Sequence, residues 1–102
     1  MNGTPEVAEF IKNLEKGCYL EKIMSKVQGE LREDMFCGEP VKKKQIPEYY
    51  IEKYGLNNLY VKKLDSSKRL TYTLSANGFG VGVYLLEVFL THKDYEERFG
   101  YT

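Results

Sequence analysis

The sequence contains no apolar run long enough to cross a bilayer, and no charged, apolar and small-residue succession at its start. Neither a membrane span nor a secretory leader is therefore expected, and the chain should stay in the cytoplasm. Cysteine is scarce: Cys18 and Cys37 stand alone, without C-x-x-C spacing, which excludes a secreted disulfide scaffold and predicts two reduced, partly buried thiols. Net charge is absent, with 15 Lys/Arg against 15 Asp/Glu, so bulk charge does not drive the chain onto nucleic acid. Internal repeats and low-complexity tracts are absent too. What remains, 102 residues at 42% apolar and 29% charged, predicts one ordinary globular domain over 1–102 with a single modest core.

The balanced charge is unevenly spread. Residues 38–69 hold eight Lys/Arg against four Asp/Glu, whereas 1–37 hold five against seven and 70–102 two against four. A basic face can form in the middle of a neutral molecule.

Thr4-Pro5-Glu6 opens a helix: Thr4 can cap free amides, Pro5 fits the first helical position and Glu6 suits the positive dipole end. Val7, Phe10, Ile11 and Leu14 follow at helical spacing, with Gly17 as the stop. Leu20, Ile23, Met24, Val27 and Leu31 repeat the spacing, leaving Lys22, Lys26, Glu30 and Glu33 to the solvated side. Two helices joined this tightly are expected to pair as an antiparallel hairpin.

From Phe36 to Asn58 no period is evident, and Gly38, Pro40, Pro47 and Gly55 punctuate the stretch. It reads as an irregular connection with one helical turn at Glu48 to Tyr54. Its length marks it as functional or as hiding a short element. It carries Lys42-Lys43-Lys44, a solvated run or a phosphate contact, and Tyr49, Tyr50 and Tyr54, which suit packing over the core edge better than base stacking.

From Leu59 the period becomes two. Leu70, Tyr72 and Leu74 alternate with Arg69, Thr71 and Thr73, which places Arg69 opposite the hydrophobic face. Asp65-Ser66-Ser67-Lys68 and Ala76-Asn77-Gly78 supply turn chemistry, and the more apolar Val81 to Leu90 suits a central strand with one face against the helices. The strands gather Lys62, Lys63, Lys68 and Arg69 around one hairpin and bring the only histidine, His92, to the end of the third strand. The fold class is α+β: an N-terminal helix hairpin on an antiparallel sheet of three to four strands, with a short C-terminal helix. Cations, a histidine and tyrosines on one sheet match what binding or cleavage of a phosphodiester requires.

Leu59-Tyr60-Val61-Lys62-Lys63-Leu64, a Ser-containing turn, Arg69-Leu70-Thr71-Tyr72 and an apolar strand ending in His92-Lys93-Asp94-Tyr95 resemble the RelE/ParE superfamily of toxins from toxin–antitoxin pairs. The likeness extends back through Gly38-Glu39-Pro40-Val41 to the two helices. It implies a cytoplasmic toxin, bound by a cognate antitoxin, whose RelE branch cleaves mRNA in the ribosomal decoding site without metal or small-molecule cofactor. Attack by a ribose 2′-hydroxyl needs a base, cations for the crowded phosphate and an acid for the leaving 5′-oxygen.

Carried over on the resemblance, Lys63 matches the strand lysine before Leu and Arg69 the arginine before Leu-x-Tyr, both as phosphate and transition-state contacts. His92 falls where the YoeB-like branch has a histidine and Lys93 where the RelE branch has a basic residue. Tyr95 is the candidate C-terminal tyrosine, with Tyr101 as its substitute. Because an imidazole exchanges protons near neutrality, His92 suits an acid or base role. Lys42, Lys43, Lys44, Lys62 and Lys68 are the candidate RNA contacts. The competing reading of Lys63 and Arg69 is a solvent face paired with Asp65 or Glu87.

The chain departs from the family pattern in three respects. No strand is expected before the first helix. Val61 stands where a second lysine is usual, so that Lys62 needs a bulge to join Lys63 on one side. The net charge is neutral. These departures keep two other readings open: a non-catalytic interaction module of this fold, and a gyrase-inhibiting toxin of the ParE type.

Overall fold

The computed structural model describes residues 2–77 and 80–100. Among them the chain runs β1 (Asn2–Gly3), α1 (Pro5–Lys12), α2 (Tyr19–Glu33), β2 (Glu39–Pro40), a 3₁₀ turn (Lys43–Gln45), α3 (Glu48–Tyr54), β3 (Tyr60–Lys63), β4 (Arg69–Asn77), β5 (Gly80–Phe89) and α4 (His92–Phe99). The class is α+β, built on one five-stranded mixed sheet of order β1-β5-β4-β3-β2.

The first helix starts where its capping chemistry predicts. Thr4 Oγ1 accepts from the Val7 amide at 3.2 Å and donates to the Leu86 carbonyl at 3.1 Å, so one buried hydroxyl both caps α1 and ties it to β5. The helix closes at Lys12, with Asn13 as C-cap, well before Gly17. In α2 the Cys18 sulfur takes the capping role, accepting from the Glu21 amide at 3.4 Å. Val7 of α1 and Val27 and Leu31 of α2 pack with Leu70, Tyr72, Val83 and Leu85 on one sheet face. Burying each of these aliphatic side chains contributes about 1.5–3 kcal/mol. α1 lies against β5, and α2 joins the same core through Val27 and Leu31.

The sheet differs from expectation at both edges. Asn2–Gly3 is a strand after all, and it pairs parallel with Tyr84 and Leu85 of β5. Two residues show no period in the sequence; the pairing is held by Gly3, where a Cβ would sit 3.3 Å from Leu85 Cβ, and by the Thr4 amide on the Leu85 carbonyl at 2.9 Å. At the other edge the segment read as irregular contains β2, whose Glu39 and Pro40 pair antiparallel with Val61 and Tyr60. The helical turn at Glu48–Tyr54 stands where expected, as α3.

Both faces of the sheet are covered, where only one was expected. Arg69, Thr71 and Thr73, read as the solvent row of β4, are buried. The second face carries Ile46, Tyr50, Leu59 and Leu86, with Phe99 of α4 packed against them. The polar row survives burial because its hydroxyls are bonded: Thr71 Oγ1 shares a hydrogen bond with the Tyr50 hydroxyl at 3.1 Å, and Thr73 Oγ1 donates to the Asn58 carbonyl at 2.7 Å. A register shift adjusts β5 to two cores. Thr71 pairs with Glu87 and Tyr72 with Leu85, which leaves Leu86 unpaired in the ladder and free to join the second core.

A candidate phosphate-binding site at the open edge of β3

The site is built around the β3–β4 hairpin. Lys63 and Arg69 are direct cross-strand partners in a regular antiparallel register. Two like charges placed opposite each other destabilise a bare sheet, and an anion between them would offset that repulsion. Neither is neutralised by the carboxylates considered for it. Among the described residues Glu87 pairs instead with Arg98, and Asp65 with Lys68.

Asp65 organises the turn. Its Oδ1 accepts from the Ser67 and Lys68 amides at 2.8 and 2.9 Å, while Oδ2 accepts from the Lys68 ammonium at 3.2 Å and from the Tyr19 hydroxyl at 3.1 Å. The Ser67 amide, seconded by the Lys68 amide and ammonium, holds the Asp65 carboxyl well below the usual carboxylate range. The turn in turn aims Arg69. Its Nη1 donates to the Asp65 and Lys68 carbonyls at 2.9 and 3.0 Å, and its guanidinium carbon lies 5.8 Å from the centre of the Tyr95 ring. Arg69 is only 8% exposed, so this aim is held by packing as well as by hydrogen bonds.

Beside the hairpin lies a cavity of about 290 Å³ lined by Glu39, Lys62, Lys63, Arg69 and Tyr95, with the Cys37–Gly38 segment as one wall. β2 pairs only as far as Val61, so Lys62 and Lys63 occupy an edge without a neighbour from β2. Both line one cavity at this edge, although β3 shows no register shift and no bulge turns Lys62, opposite Leu70, to the side of Lys63. Lys62 also lies 4.0 Å from Glu30 of α2.

The cavity wall is fixed from the core. Tyr72 is fully buried, as its alternation with Leu70 and Leu74 predicts. Its hydroxyl accepts from the Gly38 amide at 3.0 Å and donates to the Met35 carbonyl at 2.9 Å. Burial pushes this phenol up to about 12, against the opposing effect of the Gly38 amide.

Tyr95 is delivered by α4, whose N-cap Thr91 accepts from the Asp94 amide at 3.1 Å. Arg98 clamps the helix to the sheet through two bonds to Glu87, 2.9 and 3.2 Å, and lies 3.6 Å from the centre of the Tyr49 ring. Beneath it the Tyr50 phenol, buried and close to Glu87, is pushed upward chiefly by desolvation. Tyr95 packs against Phe89 and Phe99 with ring centres 5.8 and 4.7 Å away.

The structure thus brings together Lys62, Lys63, Arg69 and Tyr95 of the residues singled out from the sequence. His92 does not follow directly on the strand; it opens α4, with Nδ1 2.6 Å from Glu96 Oε1 and its ring centre 6.0 Å from that of Tyr95. Neither His92 nor the exposed Lys93 lines the cavity. Lys42, Lys43 and Lys44 are exposed on and before the 3₁₀ turn, also outside it, and Lys68 is held by Asp65. Tyr101 and Gly78 lie outside the described residues.

Glu39 is the residue the sequence reading missed as a site group. It lies on a two-residue strand with no periodicity, and only its pairing with Val61 brings it to the cavity. A larger cavity of about 650 Å³ at the far end of β4 contains none of the predicted residues. Its one cation, Lys53, already bonds to the Tyr49 hydroxyl at 3.0 Å and lies 3.8 Å from Glu6. Among the described residues no group of three His, Cys, Asp or Glu is placed to hold a metal ion, and no helix is long and apolar enough to cross a membrane. Comparison with protein-family models, curated proteins and solved structures found no match.

Proposed function

We propose that the protein is a RelE/ParE-type toxin that cleaves single-stranded RNA by attack of a ribose 2′-hydroxyl on the adjacent phosphate. The observation that supports this is the convergence of Lys62, Lys63 and Arg69 with one carboxylate, Glu39, on a single cavity at an open sheet edge. Lys63 and Arg69 bind the scissile phosphate and stabilise the charge that accumulates on it in the transition state. Glu39 takes the 2′-hydroxyl proton. Tyr95 packs the guanidinium from below and keeps Arg69 aimed at the cavity. His92, one helical turn from Tyr95 on the α4 rim, is the acid that protonates the leaving 5′-oxygen in this reading. The substrate is mRNA on the ribosome, and the partner that silences the protein is an antitoxin with acidic groups over the same cations.

A second reading is favoured by the position of His92 outside the cavity, turned to Glu96. In it the fold is a non-catalytic module that keeps the antitoxin-binding surface.

The deciding experiment is controlled expression of the wild type, Arg69→Ala and Glu39→Gln, with growth recorded and primer extension on a reporter mRNA. Growth arrest with discrete cut sites that both substitutions abolish, in folded proteins, supports the nuclease. Normal growth and an intact message with a soluble, folded wild type overturn it in favour of the module.

A further inference from the structure

Phe36 is 62% exposed, and it sits directly before the Cys37–Gly38 wall of the cationic cavity. Single exposed aromatics are ordinary, but this one is mounted rigidly. Its amide donates to Asp34 Oδ1 at 3.0 Å and the following amide, of Cys37, to the Asp34 carbonyl at 3.2 Å. On either side Met35 and Gly38 are pinned to the Tyr72 hydroxyl. The rings of Tyr72 and Tyr60 stack with centres 5.2 Å apart and planes within 12°, and Phe36 meets Tyr60 at 6.3 Å with the planes 64° apart. An aromatic ladder therefore runs from the core to the surface and ends in an exposed ring against Tyr60, two residues before Lys62 on the same face of β3.

Among the described residues the other large exposed apolar side chains do not offer this. Ile51, Val81 and Leu90 are aliphatic, and Tyr19 is tied by its hydroxyl to Asp65, with the Lys68 ammonium 6.0 Å from its ring centre. Proteins that hold single-stranded RNA pair cations for the backbone with aromatic faces for the bases, because every base has a π-face.

We propose that Phe36 is the stacking platform for the nucleobase next to the phosphate bound at Lys62, Lys63 and Arg69. This rests on the RNA reading of that cavity. The ring selects for a base without reading its edge, so it favours purines through their larger overlap and tolerates any sequence otherwise. It sets affinity and the position of the cut, and takes no part in bond making.

The chain contains no tryptophan, so Phe36→Trp introduces a single tryptophan, excited selectively over the tyrosines, at the platform. The probe is a short, end-labelled oligoribonucleotide blocked against cleavage by 2′-O-methylation, beside a twin carrying an abasic site at each position in turn. Binding by anisotropy and quenching of the new tryptophan are read together. The expected result is quenching by the intact oligonucleotide, its loss with one abasic twin, and affinity about 5- to 100-fold weaker for Phe36→Ala with an unchanged salt slope. RNA that binds wild type and Phe36→Ala equally, with no quenching, overturns the platform and leaves the cavity reading intact. Failure of the wild type to bind the RNA, either free or held in the decoding site of a ribosome, overturns both.

Discussion

The amide of Gly38 donates to the hydroxyl of Tyr72 at 3.0 Å, and a Cβ placed on Gly38 would meet that same oxygen at 2.7 Å. The Tyr72 ring is fully buried and stacked on Tyr60, so it cannot swing aside. Glycine is required here for close approach, since any side chain would push the cavity wall away from β3. Gly38→Ala is expected to destabilise the fold by about 1–3 kcal/mol, the usual result of overpacking, read as a lower urea midpoint at unchanged slope.

Tyr72→Phe tests the same contact from the other side. It keeps the ring but strands the Gly38 amide and the Met35 carbonyl, which costs about 1–3 kcal/mol where those groups are shut from water. Equal urea midpoints for wild type and variant would show that the hydroxyl anchors nothing.

The Arg98–Glu87 clamp is two-pronged and partly buried, with side-chain exposures of 31% and 23%. Arg98→Met removes it and leaves Glu87 beside the Tyr50 phenol. A loss of about 1–2 kcal/mol is expected, between the values for exposed and fully buried pairs. Amide exchange should quicken in α4 before it does in β4, because the clamp joins the helix to a sheet that stays intact.

Asp65 sets an acid limit on the hairpin. Its folded pKa is depressed below the unfolded value, so its contribution is complete above the ordinary aspartate value of about 3.9 and disappears as pH falls from there through the folded value. The stability gap between wild type and Asp65→Asn should be flat from pH 5 to 7 and close progressively below pH 4. A gap that stays constant down to pH 2 would mean that the charge of Asp65 contributes nothing.

On the proposed nuclease reading, placement in the cavity ranks Glu39 ahead of His92 for proton transfer. Glu39→Gln is expected to lower the single-turnover cleavage rate by about 10²–10⁴-fold, the range for a general base, with RNA affinity little changed. His92→Ala should lower it less than tenfold, because its ring lies on the α4 rim. The reverse order would return His92 to the centre of the chemistry.

Much of the molecule could be read from local pattern. Thr4-Pro5-Glu6 announced α1, the 3.6-residue spacing from Leu20 to Leu31 announced α2, and Leu70-Tyr72-Leu74 announced the buried row of β4. Lys62, Lys63, Arg69 and Tyr95 were legible as a group because three of them flank one short hairpin and the fourth follows the next strand. The burial of Arg69, Thr71 and Thr73 was not legible, because three polar residues in alternation look like a wet face until Tyr50, Asn58 and Glu87 are seen to bond the threonines and the Asp65 and Lys68 carbonyls the guanidinium. The apolar character of Val81 to Leu90 was the available sign that both faces are dry.

The sequence by itself determined the helices, the central hairpins and the cluster of cations, since capping, period and turn chemistry act between residues a few positions apart. Tertiary structure alone decided the two short edge strands, the shift at Leu86, the turning of His92 toward Glu96 and the arrival of Glu39 beside Lys63. Each of these depends on which distant backbone lies alongside. A two-residue strand has no periodicity to reveal it, and its place is set by the partner's hydrogen bonds.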